Sequence, residues 1–490
     1  MEQGGVSSGD YYKIYAKSQL QLAQDSGLGV RLTNRTTISA IGQADDTVLV
    51  ANNPHSLQNL LDLSLHYCRR FNVELCPGKT ILQVITPKKH DKEVKYLKEF
   101  APIVLNQVKL QYKNTAVHVG IIRATTGNLP NILDRIVAHK RAVAAVLHIG
   151  AARNHRGNPI AGLKLERVYG FPVLMSGLGA LILKKSELAA INKHHKLTIN
   201  NLLRLPTRTP QSVCYFLAGS LPGEALVHLR QLSLLGMISD LPGTTIHNIA
   251  VDSFSVKSTS SSWFYQVRET CLQYQLPHPL ELLTVPPPYT KDAFKSLAKK
   301  NVLNYWEIKL RMEASNLSSL KYFQPQFMSL SRPHPIFMSA GSSPYEVVKA
   351  GVQATILSGR YKTERLCRHW SENKEGFCIL PSCLGKQLLE DERHILLDCG
   401  SLVSTRIRLS QFTINHTKKF PVIKDILLNF TNPENPRYCQ FLIDCSSIPE
   451  VITLSQKYGH SILDQLFKVT RTWCYSLHRE RLKVLGRWHS

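Results

Sequence analysis

The apolar and polar positions group first into two short runs, Thr37-Ile38-Ser39-Ala40-Ile41 and Thr47-Val48-Leu49-Val50-Ala51, on either side of Gly42-Gln43-Ala44-Asp45-Asp46. Both runs are rich in β-branched and small apolar residues, so each reads as a strand. Together they predict a hairpin with Asp45 and Asp46 at its tip. Asn53-Pro54 then supplies a capping side chain and a proline in the first turn of a helix. Leu57, Leu60, Leu61, Ser64, Leu65, Cys68 and Phe71 follow at helical spacing, a face that should pack under the hairpin with Cys68 in the core. Val73 to Leu75 and Ile81 to Ile85 read as strands around a Pro77-Gly78 turn, with Lys79 just after it.

From about Leu129 the pattern is helical. Ile132, Ile136, Val137, Val143, Val146 and Leu147 make an apolar stripe, and Arg135, His139, Lys140, Arg141, Arg153, His155 and Arg156 make a basic complement. Ser176-Gly177-Leu178-Gly179-Ala180 lacks the full glycine pattern of a nucleotide-binding loop, and close helix packing explains it. Leu226, Leu229, Leu232, Leu234, Leu235 and Ile238 form another helical face, with a stop at Leu241-Pro242-Gly243. A further helical stretch lies between the serine run Ser258 to Ser262 and Pro286-Pro287-Pro288. Gln324 to Pro335, with three prolines, reads as a linker. Ser343-Pro344-Tyr345-Glu346 has the form of a capping box, opening a helix that stops near Gly359. From Ser461 an amphipathic helix carries Ile462, Leu466, Val469, Trp473 and Leu477 on one face, with Arg471, Arg479, Arg481, Lys483 and Arg487 making its other side basic. No internal repeat is found.

Composition narrows the class. The 490 residues suit about three domains. At 43% hydrophobic and 19% charged the chain can bury real cores. Sixty Lys and Arg against 35 Asp and Glu give a net charge of +25, which suits a polyanionic partner. No apolar run is long enough to span a bilayer, and Met1-Glu2 followed by glycines is no signal peptide, so an intracellular place, nuclear or cytoplasmic, is expected and secretion is not. The 11 cysteines lack the regular spacing of a disulfide framework.

Two constellations carry chemistry. Adjacent carboxylates on a tight turn suit a hard cation such as magnesium, and two such ions can clamp the attacking and leaving oxygens of a phosphoryl transfer. Cys378, Cys383, His394 and Cys399 stand as C-x4-C-x10-H-x4-C, the ligand set of a closed tetrahedral structural zinc site. Leu380-Pro381-Ser382 gives a turn between the first two ligands, and Glu392 to Leu397 can form a short helix presenting His394. Cys367 and His369 lie close enough in sequence to replace one of the four. Cys439, Cys445 and Cys474 fit a core.

The hairpin and its surroundings resemble the palm of a non-LTR (LINE-type) retrotransposon reverse transcriptase. Ala44-Asp45-Asp46 matches the family's metal-binding box, with Gln43 where the family usually has an aromatic residue. Glu2-Gln3-Gly4-Gly5-Val6-Ser7 resembles the Gln-Gly box, followed by a helix from near Asp10 that carries Tyr11, Ile14, Tyr15 and Leu20. Pro77-Gly78-Lys79-Thr80 resembles the lysine-bearing box, and His118-Val119-Gly120-Ile121 the turn that ends the palm. The cysteine-histidine spacing, with Gly359 to Thr363 and Arg368-His369-Trp370, is similar to the module that follows the polymerase domain in many such elements. The resemblance implies RNA-directed DNA polymerase activity on an RNA template and DNA primer. Asp45 and Asp46 would hold magnesium, Lys79 would assist the leaving pyrophosphate, and Gln3 and Gly4 would contact the template–nucleotide pair. The family's first catalytic aspartate and its fingers lie upstream of the Gln-Gly box. With Gln3 so near Met1, an isolated chain is expected to be inactive, or a second chain to supply the fingers.

The expected fold is therefore α+β. A partial palm (1–125) precedes a thumb-like helical domain (126–245), a helical connector and linker (246–340), a zinc module (341–410) and a basic helical segment (411–490). A catalytically silent protein that binds nucleic acid and zinc is the alternative reading.

Overall fold

A computed structural model describes residues 8–33, 35–43, 46–85, 90–146, 157–256, 262–369, 375–432, 434–459 and 461–486. The chain is mainly helical, and its strands among the described residues form five two-stranded sheets. This mixture agrees with an α+β class. Two compact units interleave along the sequence. One comprises Met1–Val137, Met175–Leu188 and Val227–Asn301; the other comprises Ala138–Leu174, Ala189–Leu226 and Val302–Ser490.

In the first unit, Ala40–Gln43 pairs antiparallel with Asp46–Leu49, and the register sets Gln43 against Asp46. Two helices seat this hairpin. The helix Ser8–Asp25 lies so close that a Cβ on Gly42 would come within 2.8 Å of Leu20 Cδ1. Gln24 of that helix accepts from the Ser39 amide at 3.2 Å and donates to the Thr37 carbonyl. The helix Pro54–Arg70 starts as its sequence predicts, Asn53 Oδ1 accepting from the Ser56 amide at 2.8 Å. It buries Leu60, Leu61, Ser64 and Cys68. Leu61 joins Leu82, Ile103, Leu105 and Leu110 in a small core, and Leu49 of the hairpin packs against that core. Phe71, at the helix end, stays exposed.

Val73 to Leu75 is not a strand. Asn72 adopts a left-handed φ of 53°, its amide donates to Arg69 O, and Val73 N–H donates to Cys68 O at 2.9 Å. This pair of bonds closes the helix and uses the amide a ladder would need. Only Ile81–Leu82 of the next expected strand pairs, parallel to Gln111–Tyr112, and Ile85 is exposed. The turn between them does form: the amides of Lys79 and Thr80 both donate to Cys76 O. Thr115–His118 and Ile121–Ala124 make a second hairpin whose turn residues Val119 and Gly120 have φ of 52° and 70°. Two positive φ values make the primed turn that matches strand twist. A Cβ on Gly179 would sit 2.9 Å from Arg230 Cβ, so this glycine serves close packing, and Trp263 Nε1 donates to its carbonyl at 2.8 Å.

The helix Leu129–Val146 buries Ile132, but Val137 is exposed and His139 is fully buried, opposite to their expected faces. Lys140 and Arg141 are exposed as expected, while Leu147, Arg153, His155 and Arg156 lie outside the described residues.

In the second unit, the helices Pro344–Leu357 and Ser461–Val484 form the centre. Gln353 Nε2 donates to Leu442 O at 2.8 Å and to Thr470 Oγ1 at 3.0 Å, and Trp473 Nε1 donates to Thr413 Oγ1 at 3.0 Å. Ile462, Leu466, Val469, Trp473, Leu477, Cys439, Cys445 and Cys474 are buried, as their pattern predicts. Three expectations change here. Ser343 makes no side-chain cap, because Glu346 turns instead to Lys349 at 2.8 Å and to Arg471. Arg471 and Arg481 do not extend a basic face, since both are buried against carboxylates. Gln324 to Pro335 is not a linker. Met328, Leu330 and His334 are buried, Arg311 donates to the Pro325 and Met328 carbonyls, and Leu330 N–H donates to Glu307.

Candidate metal centre

Cys378, Cys383, His394 and Cys399 converge, all buried, with one ligand atom of each within 4.8 Å of all the others. Among the described residues they are the group of three or more such side chains that can hold a metal ion. Cys378 leaves a short antiparallel bridge between Phe377 and Leu389, its amide donating to Leu388 O at 2.7 Å. Cys383 closes the tight turn Pro381–Cys383. His394 opens the π-helical turn His394–Asp398, held by its amide on Asp391 Oδ1 at 2.9 Å. That wide turn brings Cys399 N–H onto His394 O at 2.7 Å and points both side chains to one centre.

Cys383 Sγ lies 3.5 Å from His394 Nε2 and 3.7 Å from Cys399 Sγ. Zinc at about 2.3 Å from sulfur and 2.0–2.1 Å from nitrogen, with tetrahedral angles, sets edges of about 3.6 Å and 3.8 Å. The residues therefore fit zinc. Hydrogen bonds from Cys378 and His394 hold the Cys399 thiol down at about 4, while the Cys378 thiol is pushed up by that bond and by burial. Arg406 donates to Cys399 O at 2.6 Å, placing a cation beside the sulfurs. Cys367 and His369 stand outside the cluster, on and just after the helix Glu364–Cys367. The supporting residues Arg406, Asp391 and Glu390 carry no spacing signal; only the fold reveals them.

The other predicted site is less gathered. Asp46 is exposed at the start of its strand, and Lys79 is exposed on its turn. Gln3, Gly4 and Asp45 lie outside the described residues. No protein-family model matches the chain, and no curated protein matches it. Among the described residues, no helix is long and apolar enough to cross a membrane.

Two further polar clusters were not legible in the sequence. His334, Asp444 and Ser446 are neighbours, but His334 Nδ1 accepts from the Ile336 amide, so its Nε2 proton faces Asp444. Ser446 Oγ donates to Asp444 at 2.6 Å. A histidine in that tautomer cannot take the serine proton, so the trio is structural. In the second, Glu166 Oε1 lies 3.3 Å from His139 Nε2, and His139 Nδ1 lies 2.8 Å from His194 Nε2. Burial lowers His194 and His195 from 6.5 to about 4, with His139 nearby adding to the effect in both. The folded state thus binds fewer protons than the unfolded one between those values. Stability is full above 6.5 and should be lost as pH falls toward about 4. Fully buried His195 accounts for roughly 3 kcal/mol, and half-buried His194 for less. Urea midpoints should fall between pH 7 and pH 5, and His195→Phe should flatten that slope. Equal midpoints at the two pH values would show that these rings are not held neutral.

Proposed function

We propose that the chain is a reverse-transcriptase-derived protein of the non-LTR retrotransposon type, acting on RNA–DNA template–primer, with a structural zinc site. The observation that carries this reading is the hairpin Ala40–Gln43/Asp46–Leu49, seated on the helix Pro54–Arg70, with Asp46 paired opposite Gln43 at its end and Ala44-Asp45 between them in sequence. Asp45 and Asp46 would hold magnesium, which supplies charge neutralisation at the reacting phosphate. Lys79, on its exposed turn, would stabilise the departing pyrophosphate, and Gln3 and Gly4 would contact the template–nucleotide pair. Cys378, Cys383, His394 and Cys399 would hold the zinc.

The second reading, a catalytically silent protein that binds nucleic acid and zinc, is favoured by one observation. Exposed Asp46 belongs to no metal-capable group of three or more among the described residues, whereas the cysteine-histidine cluster is fully assembled. One experiment addresses both. Binding to a labelled RNA–DNA hybrid should weaken linearly in log affinity against log salt, by about 0.9 per neutralised phosphate, given the +25 charge. Magnesium-dependent primer extension that disappears in Asp46→Asn supports the polymerase. Hybrid binding without extension supports the silent protein. A chain that fails to bind the hybrid at low salt sinks both.

A further inference from the structure

We infer that a cleft in the second compact unit takes one unstacked nucleotide of a single-stranded nucleic acid, with its base on Phe327 and Tyr322 and its phosphate at Lys321 and Arg393. This rests on the nucleic-acid reading above and gives it a site that the resemblance does not supply. The cleft has a volume of about 340 Å³, at the lower end of the roughly 300–1,000 Å³ of small-ligand sites.

Its lining joins flat apolar surface to cations. Phe327 ends the tight turn Pro325–Phe327 with 43% of its surface exposed, although it borders a recess that could cover it. Tyr322 is tied down through its backbone, Gln440 Nε2 donating to its carbonyl at 2.9 Å. Both rings line the cleft, and aromatic side chains in a basic groove are surfaces on which bases stack, whatever their sequence.

The charges divide into committed and available ones. Arg437 makes two bonds to Glu450, at 3.1 and 2.6 Å, and lies 5.1 Å from the Phe430 ring centre, so it serves as wall. Arg393 meets Asp398 at 3.4 Å with both side chains 49% exposed. This single longer contact, unlike the two-bond Arg437–Glu450 pair of similar exposure, is weak and opens easily for a phosphate. Lys321, exposed at the rim, sits 5.2 Å from the Tyr322 ring centre. Bases inside a duplex are already stacked, so the cleft selects a single strand. Arg393 precedes His394, which places the bound nucleotide beside the cysteine-histidine centre.

The test uses the full chain with labelled oligo(U) and oligo(dT), and the RNA–DNA hybrid alongside. Phe327→Ala should weaken single-strand binding by about fivefold or more, the scale of one lost stacking partner, while Phe327→Trp should retain it. Lys321→Glu should weaken it and flatten the salt slope by about one. Hybrid affinity and metal content should not change, and a loss with either sugar supports the site. Single-strand affinity untouched in both Phe327→Ala and Lys321→Glu, with hybrid binding intact, overturns the cleft and spares the broader reading. Failure of the unaltered chain to bind either probe removes the broader reading along with the cleft.

Discussion

Stripping zinc from the full chain should unfold the segment from about Gly376 to Leu402, and Cys383→Ser should abolish stoichiometric zinc. Besides the metal, the segment is held by a few buried side chains, Leu380, Ile395, Leu396 and Leu402, and by the Glu390–Arg481 pair. Its regular structure is one β-bridge, two tight turns and a single π-helical turn. With so little regular backbone structure of its own, the segment depends on the metal for its local conformation. Structural zinc supplies an apparent 10–16 kcal/mol, roughly, at neutral pH, comparable to a typical domain's whole stability. Zinc takes cysteine as thiolate, so binding must displace the protons these thiols carry. Zinc affinity should therefore weaken as pH falls, and titration in weak buffer should release protons. Cys367→Ser and Cys439→Ser, outside the cluster, should leave zinc content unchanged. Purified chain without zinc by elemental analysis, and with circular dichroism indifferent to a chelator, would make the cysteines ordinary core residues.

The cluster is legible in the sequence because metal ligands must be near in space, and in a small module that means near in the chain. The spacing selects four side chains, and the fold gathers those four and leaves Cys367 and His369 aside. Local rules also suffice for the helix Pro54–Arg70, where a cap, a proline and an apolar stripe agree. They suffice for the strands around Asp46, where β-branched runs flank a short connection.

What the sequence hides is long-range and polar. His139 sits among basic residues and looks solvated, yet it is buried with Glu166 and His194, far along the chain, within hydrogen-bonding distance of its two ring nitrogens. Gln324 to Pro335 looks like a spacer because prolines dominate it. Its backbone carbonyls are instead claimed by Arg311, and Leu330 N–H by Glu307, on a helix that precedes the segment. Proline fixes φ and removes a donor, but it does not forbid packing. The same limit applies to Ser343, whose box fails because Glu346 has stronger partners elsewhere.

A further hidden partnership, between Arg481 and Glu390, predicts a large effect. Arg481→Ala should destabilise the second unit by about 3–5 kcal/mol, the range for breaking one side of a buried ion pair. Arg481 and Glu390 are both buried, their side chains 4% and 0% exposed, and Arg481 also lies 5.7 Å from the Tyr361 ring centre. Burial already pushes the Glu390 carboxyl up, against the pull of Arg481. Without the guanidinium, the carboxyl would have to bind a proton or drag water into the core. Glu390 also donates its amide to Gly376 O at 3.0 Å, in the bridge that leads into Cys378. The arginine therefore ties the C-terminal helix to the metal centre, and Arg481→Ala should speed zinc release to a chelator as well as lower the urea midpoint. Arg481→Met with Glu390→Gln removes both charges at similar volume and should recover most of the loss. A single substitution that costs no more than the double one would mean that the pair is not desolvated, and that the helix is held by its apolar face alone.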